Sequence, residues 1–334
     1  MTHSLGIVII GRNEGARLVA SLESVFCATD GWLHGAVTVV YVDSGSTDSS
    51  AETARRMAVD VLHLDTSMPF SAGRARNSGF DRLRGLRPGI EFVQFIDGDC
   101  RLDLRWLRAA VDFMIKRAEY AIVCGRRLEV SPERSVFNAL CDAEWNTPIG
   151  ETAECGGDFL IRAAAFAAVD GFHPDLIAGE EPELCFRLRE RGWRIMRLDH
   201  PMTLHDAGMT RWSQWWKRSV RSGFAYAARA FLHAANPTGY MKKENVRIAA
   251  WAWGVPLAVL SLATIVSPIW WALLLVYPLQ VFRLASVLPN RSRQLGRLTR
   301  AVFLVLGKWP EGVGQLKFLQ QMLLGRRQRI IEYK

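Results

Sequence analysis

The sequence predicts an α/β fold: a mostly parallel sheet covered by helices, followed by a C-terminal helical membrane-associated region. Three observations predict it. Short, continuous apolar runs alternate with helical segments through residues 1–125, the pattern of parallel strands buried on both faces. Acidic residues stand where three of those runs stop, at Glu14, Asp43 and the pair Asp97 and Asp99. The segment Ile248 to Phe282 runs for 35 residues without a charge, too long for a core strand and long enough to meet a bilayer.

Strands are expected at Ile7–Ile10, Val37–Val42, Val59–Leu64, Phe92–Ile96 and Ala121–Cys124. Helices are expected between them at Gly15–Phe26, Asp48–Met57, Ala72–Leu83 and Asp103–Arg117. Thr47 or Asp48 is placed to cap the second helix. Pro182 is favoured at the first helical position, which would set Glu181 at a helix entrance. Residues 126–206 are less regular and are read as strands and loops completing a cleft. Pro268 breaks the apolar segment near its middle, giving two short helices in a hairpin, spanning or re-entrant. Lys242, Lys243 and Arg247 precede it, and Arg283, Arg291, Arg293 and Arg297 follow it. Positive charge at both ends puts both ends in the cytoplasm, by the positive-inside rule. Residues 298–324 read as one amphipathic helix, closed by Arg326, Arg327 and Arg329, suited to an anionic lipid surface.

Charge is divided along the chain. Residues 1–206 carry 23 Lys/Arg against 30 Asp/Glu, whereas residues 207–334 carry 19 against 3. An acidic front and a basic, tryptophan-rich back fit a globular domain tied to an anionic surface. Because the basic residues flank an apolar segment rather than line a reading helix, lipid fits better than nucleic acid. The six cysteines show no CxxC pair and no zinc spacing and are expected to be reduced. The N-terminus has no signal-peptide pattern. The first strand runs into Gly11-Arg12-Asn13-Glu14, which is not a dinucleotide-binding glycine loop.

Glu14, Asp43 and Asp97 end three strands, and open α/β sheets bind ligands at that edge. Paired carboxylates there suit a divalent cation carrying a diphosphate. The motifs in order are Val8-Ile9-Ile10-Gly11-Arg12-Asn13-Glu14, Val42-Asp43-Ser44-Gly45-Ser46-Thr47-Asp48, Gly73-Arg74-Ala75-Arg76-Asn77-Ser78-Gly79, Asp97-Gly98-Asp99, Gly156-Gly157-Asp158-Phe159-Leu160-Ile161 and Gly179-Glu180-Glu181-Pro182-Glu183-Leu184-Cys185. Over residues 5–205 this chain resembles a family 2 glycosyltransferase of GT-A fold, of the membrane-associated bacterial type that builds cell-surface polysaccharides or glycolipids.

The resemblance covers the first of four expected segments, 1–206 (catalytic); charge and hydropathy divide the rest into 207–247 (basic interface helices), 248–288 (hydrophobic hairpin) and 289–334 (amphipathic basic helix). The resemblance implies an inverting, metal-dependent transfer from a nucleotide-diphosphate sugar, UDP-linked first among them, to a membrane lipid or lipid-linked saccharide. Its site would sit on the cytoplasmic side of the inner membrane. The donor-binding set is Asn13, Glu14, Asp43 (reading the base), Gly73, Arg76, Asp97, Gly157 and Asp158. Asp99 would hold Mg²⁺ or Mn²⁺, with His205 as second ligand and His200 its competitor. The general base would be Glu181, where the family usually carries Asp, with Glu180 as the neighbouring alternative. Arg218 and Arg221, in a tryptophan-rich segment, would neutralise the leaving diphosphate. That segment departs from the Gln-x-x-Arg-Trp element of processive synthases, which argues against processivity. A nucleotidyltransferase would normally carry an early glycine-rich basic loop, and a non-catalytic scaffold would not need both Asp99 and Glu181.

Overall fold

The computed structural model describes residues 3–32, 36–68, 70–289, 291–292 and 294–325. The chain divides into two compact units, Met1–Ser131 with Trp145–Ala207, and Pro132–Glu144 with Gly208–Lys334.

The first unit is built on strands β1 (Leu5–Gly11), β2 (Val37–Asp43), β3 (Asp60–His63), β4 (Phe92–Asp97), β5 (Cys100–Leu102), β6 (Tyr120–Glu129), β7 (Gly150–Glu151), β8 (Phe159–Arg162) and β9 (Arg194–His205). They form one sheet in the order β3-β2-β1-β4-β8-β6-β9-β5, with β7 beside β9. Strands β1 to β4, β6 and β9 run one way, while β5, β7 and β8 run against them. The apolar runs explain the middle of this sheet. Ile7, Val8, Ile9, Val40, Val42, Val93, Phe95 and Ile96 are wholly buried, as strands covered on both faces require. The helices of this unit are α1 (Ala16–Thr29), α2 (Ser50–Arg56), α3 (Ala72–Leu86), α4 (Trp106–Lys116), α6 (Ala163–Ala168) and α7 (Glu180–Glu190); α5 (Val136–Trp145) spans the boundary of the two units. Parallel pairing brings the carboxyl ends of β2, β1 and β4 side by side: Gly11 is level with Asp43, and Ile10 with Asp97.

Two local expectations need correction. Helix α7 begins at Glu180, so Pro182 is the third helical residue rather than the first. It is tolerated because the first four N–H groups of a helix have no intrahelical acceptor. Gly179, in the left-handed region at φ 74°, makes the turn into the helix. At α2 the entrance residue is Ser49, without a side-chain cap; Asp48 accepts a bond from Ser50 N at 3.0 Å, and Thr47 is instead tied to Asn13.

In the second unit, α8 (Trp212–Leu232) packs against the helix Lys308–Leu323 through glycines. A methyl at Gly223 would lie 1.9 Å from Glu311 O, and one at Gly314 would lie 2.1 Å from Val220 O. Backbone is met on both sides, so the helices must separate to admit a side chain. Gly223→Ala is therefore expected to cost about 1–3 kcal/mol, read as a lowered urea midpoint. Residues 298–324 are not one helix: Arg297–Leu306 and Lys308–Leu323 are distinct, with Gly307 between them. Arg293, Arg326, Arg327 and Arg329 lie outside the described residues. The apolar segment forms two helices, Lys242–Ile265 and Pro268–Val287, long and apolar enough to cross a membrane. Pro256 follows a π-helical turn at Ala250–Gly254; the wider turn accommodates the carbonyl that a proline ring would strike in a regular helix.

Candidate active site

The site forms where β1, β2 and β4 end, and its residues belong to the first unit. On the β1–β2 side, Asn13 adopts φ 57°, a conformation that asparagine tolerates better than most residues. Its N–H donates to Ser46 Oγ at 2.9 Å, and its Oδ1 accepts from Thr47 N at 2.7 Å. The two loops are thereby stitched together. Asp43 is 2% exposed and accepts N–H bonds from Gly45 and Ser46 at 3.2 and 3.1 Å, which fixes its carboxylate beside the loop. Glu14 is paired with Arg17 at 2.8 Å.

On the β4 side, Arg76 is the hub. It rises from α3, 2% exposed. Its Nη2 reaches Asp97 Oδ1 at 2.8 Å, its Nη1 reaches Glu181 Oε1 at 2.9 Å, and Glu180 Oε1 lies 3.6 Å away. A second guanidinium, Arg127 on β6, lies 2.6 Å from Asp158 Oδ2 and 3.4 Å from Asp97 Oδ2. Asp158 also accepts from Thr203 Oγ1 at 2.7 Å and from Asp97 N at 3.1 Å. Its carboxylate braces β4 against β9 from within the sheet. Burial opposes the charge on both arginines, but the surrounding carboxylates outweigh it and hold both firmly protonated. Burial also raises Asp97; Arg76 and Arg127 more than reverse this, so its carboxyl sits below its ordinary value. Four carboxylates (Asp97, Asp158, Glu180 and Glu181) thus meet two guanidiniums, a formal surplus of two negative charges.

The backbone makes room for this cluster at Gly157. A methyl there would lie 2.6 Å from Arg76 Nη2, 3.1 Å from Glu181 Oε1 and 3.3 Å from Asp97 Oδ2. Gly157→Ala is expected to cost about 1–3 kcal/mol of stability. It should also lower turnover by more than it lowers donor affinity, measured by thermal unfolding and steady-state kinetics. Gly73 plays a similar part on α3, where a methyl would meet Phe172 Cβ at 3.1 Å and Glu180 Cβ at 3.6 Å.

Two residues beyond Asp97, Asp99 Oδ2 stands 3.3 Å from His205 Nε2. Together with Cys100 they offer ligand atoms within 4.8 Å of one another. Both side chains are 8% exposed. A carboxylate oxygen and an imidazole nitrogen held this close, beside a surplus of negative charge, fit a divalent cation such as Mn²⁺ or Mg²⁺. The Trp145 ring packs edge-on against His205 at 4.9 Å and lies under the Arg127 guanidinium at 5.5 Å. His200, the competing histidine, is exposed elsewhere along β9.

The structure thus gathers Arg76, Asp97, Gly157, Asp158, Glu180 and Glu181 into one cluster, with Asp99 and His205 beside it and Asn13, Glu14 and Asp43 along the same sheet edge. Arg218 and Arg221 belong to α8 of the second unit, where the Arg218 fork holds Glu144 by two bonds of 2.7 and 2.8 Å. Sequence reasoning missed Arg127 and Trp145. The available signal was Arg126-Arg127, one residue after the buried run Ala121–Cys124, since charge inside a sheet requires a buried partner.

Residues 6–153 match the family model described as Glycosyl transferase family 2. The matched span contains Asp43, Asp97 and Asp99 and stops short of Gly157, Glu181 and His205. The succinoglycan biosynthesis protein ExoA of Rhizobium meliloti is 26% identical over 292 residues, covering 81% of this chain and 83% of that protein. Among solved structures, the mannosyltransferase PcManGT from Pyrobaculum calidifontis, in complex with GDP-Man and Mn²⁺, superposes with a TM-score of 0.64 at 17% identity over 95% of this chain and 88% of that one. TarS 1–349 of S. aureus in complex with UDP-GlcNAc superposes at 0.53, with 14% identity over 97% and 92%. At such identities these two likenesses concern the fold. The motifs, the sheet order, the match over residues 6–153 and these relatives agree: the fold is GT-A, and the chain is similar to the family 2 glycosyltransferases.

Proposed function

We propose that this enzyme transfers a sugar, with inversion, from a nucleotide-diphosphate donor to a hydroxyl of a membrane-associated acceptor. The observation that carries this reading is the pair of contacts from Arg76 to Asp97 and Glu181. One rigid, buried guanidinium fixes the donor-side carboxylate relative to the residue that would receive the acceptor's proton. Such fixed spacing is what a single displacement needs, because both reactants must be aligned at once.

In this reading Asn13, Glu14 and Asp43 hold the nucleoside, with Asp43 accepting from the base. Asp97 accepts from a donor hydroxyl. Glu181, 15% exposed where Glu180 is 3%, is the carboxylate of the acidic pair open to an acceptor. It takes the hydroxyl proton as oxygen attacks the anomeric carbon. Attack opposite the leaving diphosphate inverts that carbon. Asp99 and His205 would hold Mn²⁺ or Mg²⁺, which when bound offsets charge on the diphosphate. The neighbours' ligands include both GDP-Man and UDP-GlcNAc; we propose a UDP-sugar for this chain. The named relative's part in succinoglycan synthesis supports a role in cell-surface polysaccharide or glycolipid assembly. The two apolar helices with their cationic flanks support an inner-membrane location, the catalytic unit on the cytoplasmic side.

Purified protein incubated with a panel of UDP-, GDP- and other nucleotide-linked sugars should release nucleoside diphosphate from one of them with Mn²⁺ or Mg²⁺ present. On a matched acceptor, NMR of the product should show the anomeric configuration opposite to the donor's. Release from none of the panel, or a product of retained configuration, would refute the proposal.

A further inference from the structure

The two apolar helices form an antiparallel hairpin whose dimensions bear on how it meets a bilayer. Tyr277 Oη donates to Trp251 O at 2.6 Å, and the two rings lie 5.5 Å apart. Trp309 packs on Tyr277 at 5.3 Å and fixes this base to the helix Lys308–Leu323. Charges cluster beside the base: Lys308 Nζ lies 2.5 Å from Glu311 Oε2, and Arg247 acts on the same carboxylate. Beyond the base the side chains are strongly exposed, with Ile265 81%, Val266 64% and Ile269 74% exposed around the tip. Val266 lies fifteen positions beyond Trp251, which at 1.5 Å per step gives a reach of about 22 Å. The hydrocarbon core is about 30 Å thick.

The tip is closed to water by its own bonds. Val266 N and Ser267 N both donate to Leu262 O, Ile269 N donates to Ser267 Oγ, and Trp270 N donates to Ser267 O. Pro268 has no N–H. Every backbone donor from Val266 to Trp270 is therefore satisfied internally, as leaving these N–H groups inside hydrocarbon requires. The Thr264 hydroxyl likewise donates to Leu260 O at 2.7 Å. A full crossing would need the base to sink by roughly 8 Å, drawing Arg247, Lys308 and Glu311 below the headgroups.

We infer that the hairpin is monotopic: it enters the bilayer from one face, ends within the hydrocarbon and returns without crossing. This rests on the membrane association proposed above. The cationic residues at both ends then lie together against anionic headgroups on the side of entry.

The test uses the full chain carrying Cys27→Ser, which removes the exposed native thiol and leaves five that are buried or half-buried. Ile265→Cys is added and labelled with an environment-sensitive nitrobenzoxadiazole dye, with the chain lacking residue 265's thiol as background. The protein is mixed with preformed phosphatidylethanolamine and phosphatidylglycerol vesicles. Nitroxides at acyl-chain ends should quench the dye at least twofold more than headgroup nitroxides, and dithionite should fail to bleach it whether added outside or trapped inside. Bleaching by trapped dithionite would mean the tip emerges on the far side and would overturn the inference. Bleaching from outside without quenching by any lipid nitroxide would instead overturn the membrane reading itself.

Discussion

Glu181→Gln is expected to lower turnover by about 10²–10⁴-fold while leaving the fold and donor binding close to wild type. The amide keeps an oxygen that can accept from Arg76 Nη1, now 2.9 Å from Glu181 Oε1, so the hub survives. In the proposed mechanism, what is lost is the ability to accept a proton as the acceptor attacks. Glu180→Gln is the control. That side chain is 3% exposed and packs beside Gly73, so its replacement should affect stability more than turnover. Steady-state kinetics with calorimetric donor affinity separates the two. A Glu181→Gln enzyme at wild-type turnover would remove this residue from the chemistry.

The second large effect is expected at Arg76. Removing the guanidinium, as in Arg76→Met, leaves Asp97, Glu180 and Glu181 facing one another in a buried place. Breaking a buried ion pair from one side costs about 3–5 kcal/mol, a melting-temperature drop of roughly 10 °C for a unit of this size. Arg76→Lys sharpens the point. A lysine keeps the charge but not the planar fork, so it cannot hold Asp97 and Glu181 in the same geometry. It should recover much of the stability and little of the turnover. If the lysine variant recovered both, the fork would have no positioning role, and charge alone would account for Arg76.

The centre of the fold was legible because burial on both faces leaves a plain record: Ile7–Ile10, Val37–Val42 and Phe92–Ile96 can hardly be anything but central strands. The pairing of β1 with β2 follows from their sequence order, but β4 crosses past β2 to lie beside β1, so the convergence of Glu14 and Asp43 with Asp97 rests on that longer connection. Ends were less legible. Pro182 was misplaced by two positions because a helix start depends on where Gly179 turns the chain, which propensity does not record. The break at Gly307 was hidden by apolar spacing that continues across it. At the site, the residue types were readable but the division of labour was not. Arg76, expected beside the donor, also ties two carboxylates together. Asp158, expected in the donor-binding set, also braces β4 and β9. Arg127 and Trp145 carry no local motif; their role exists only once β6 and α5 bring them against Asp158 and His205.

The central claim is that one site joins an Asp99-centred metal position to a Glu181 base, and kinetics of both variants on the donor selected by the panel tests it most directly. Mn²⁺ or Mg²⁺ would be titrated into wild type, Asp99→Ala and Glu181→Gln, with turnover and donor affinity read in parallel. The account predicts that Asp99→Ala loses the response to metal, and that Glu181→Gln keeps donor affinity while losing turnover. Transfer by both variants at the wild-type rate would contradict it.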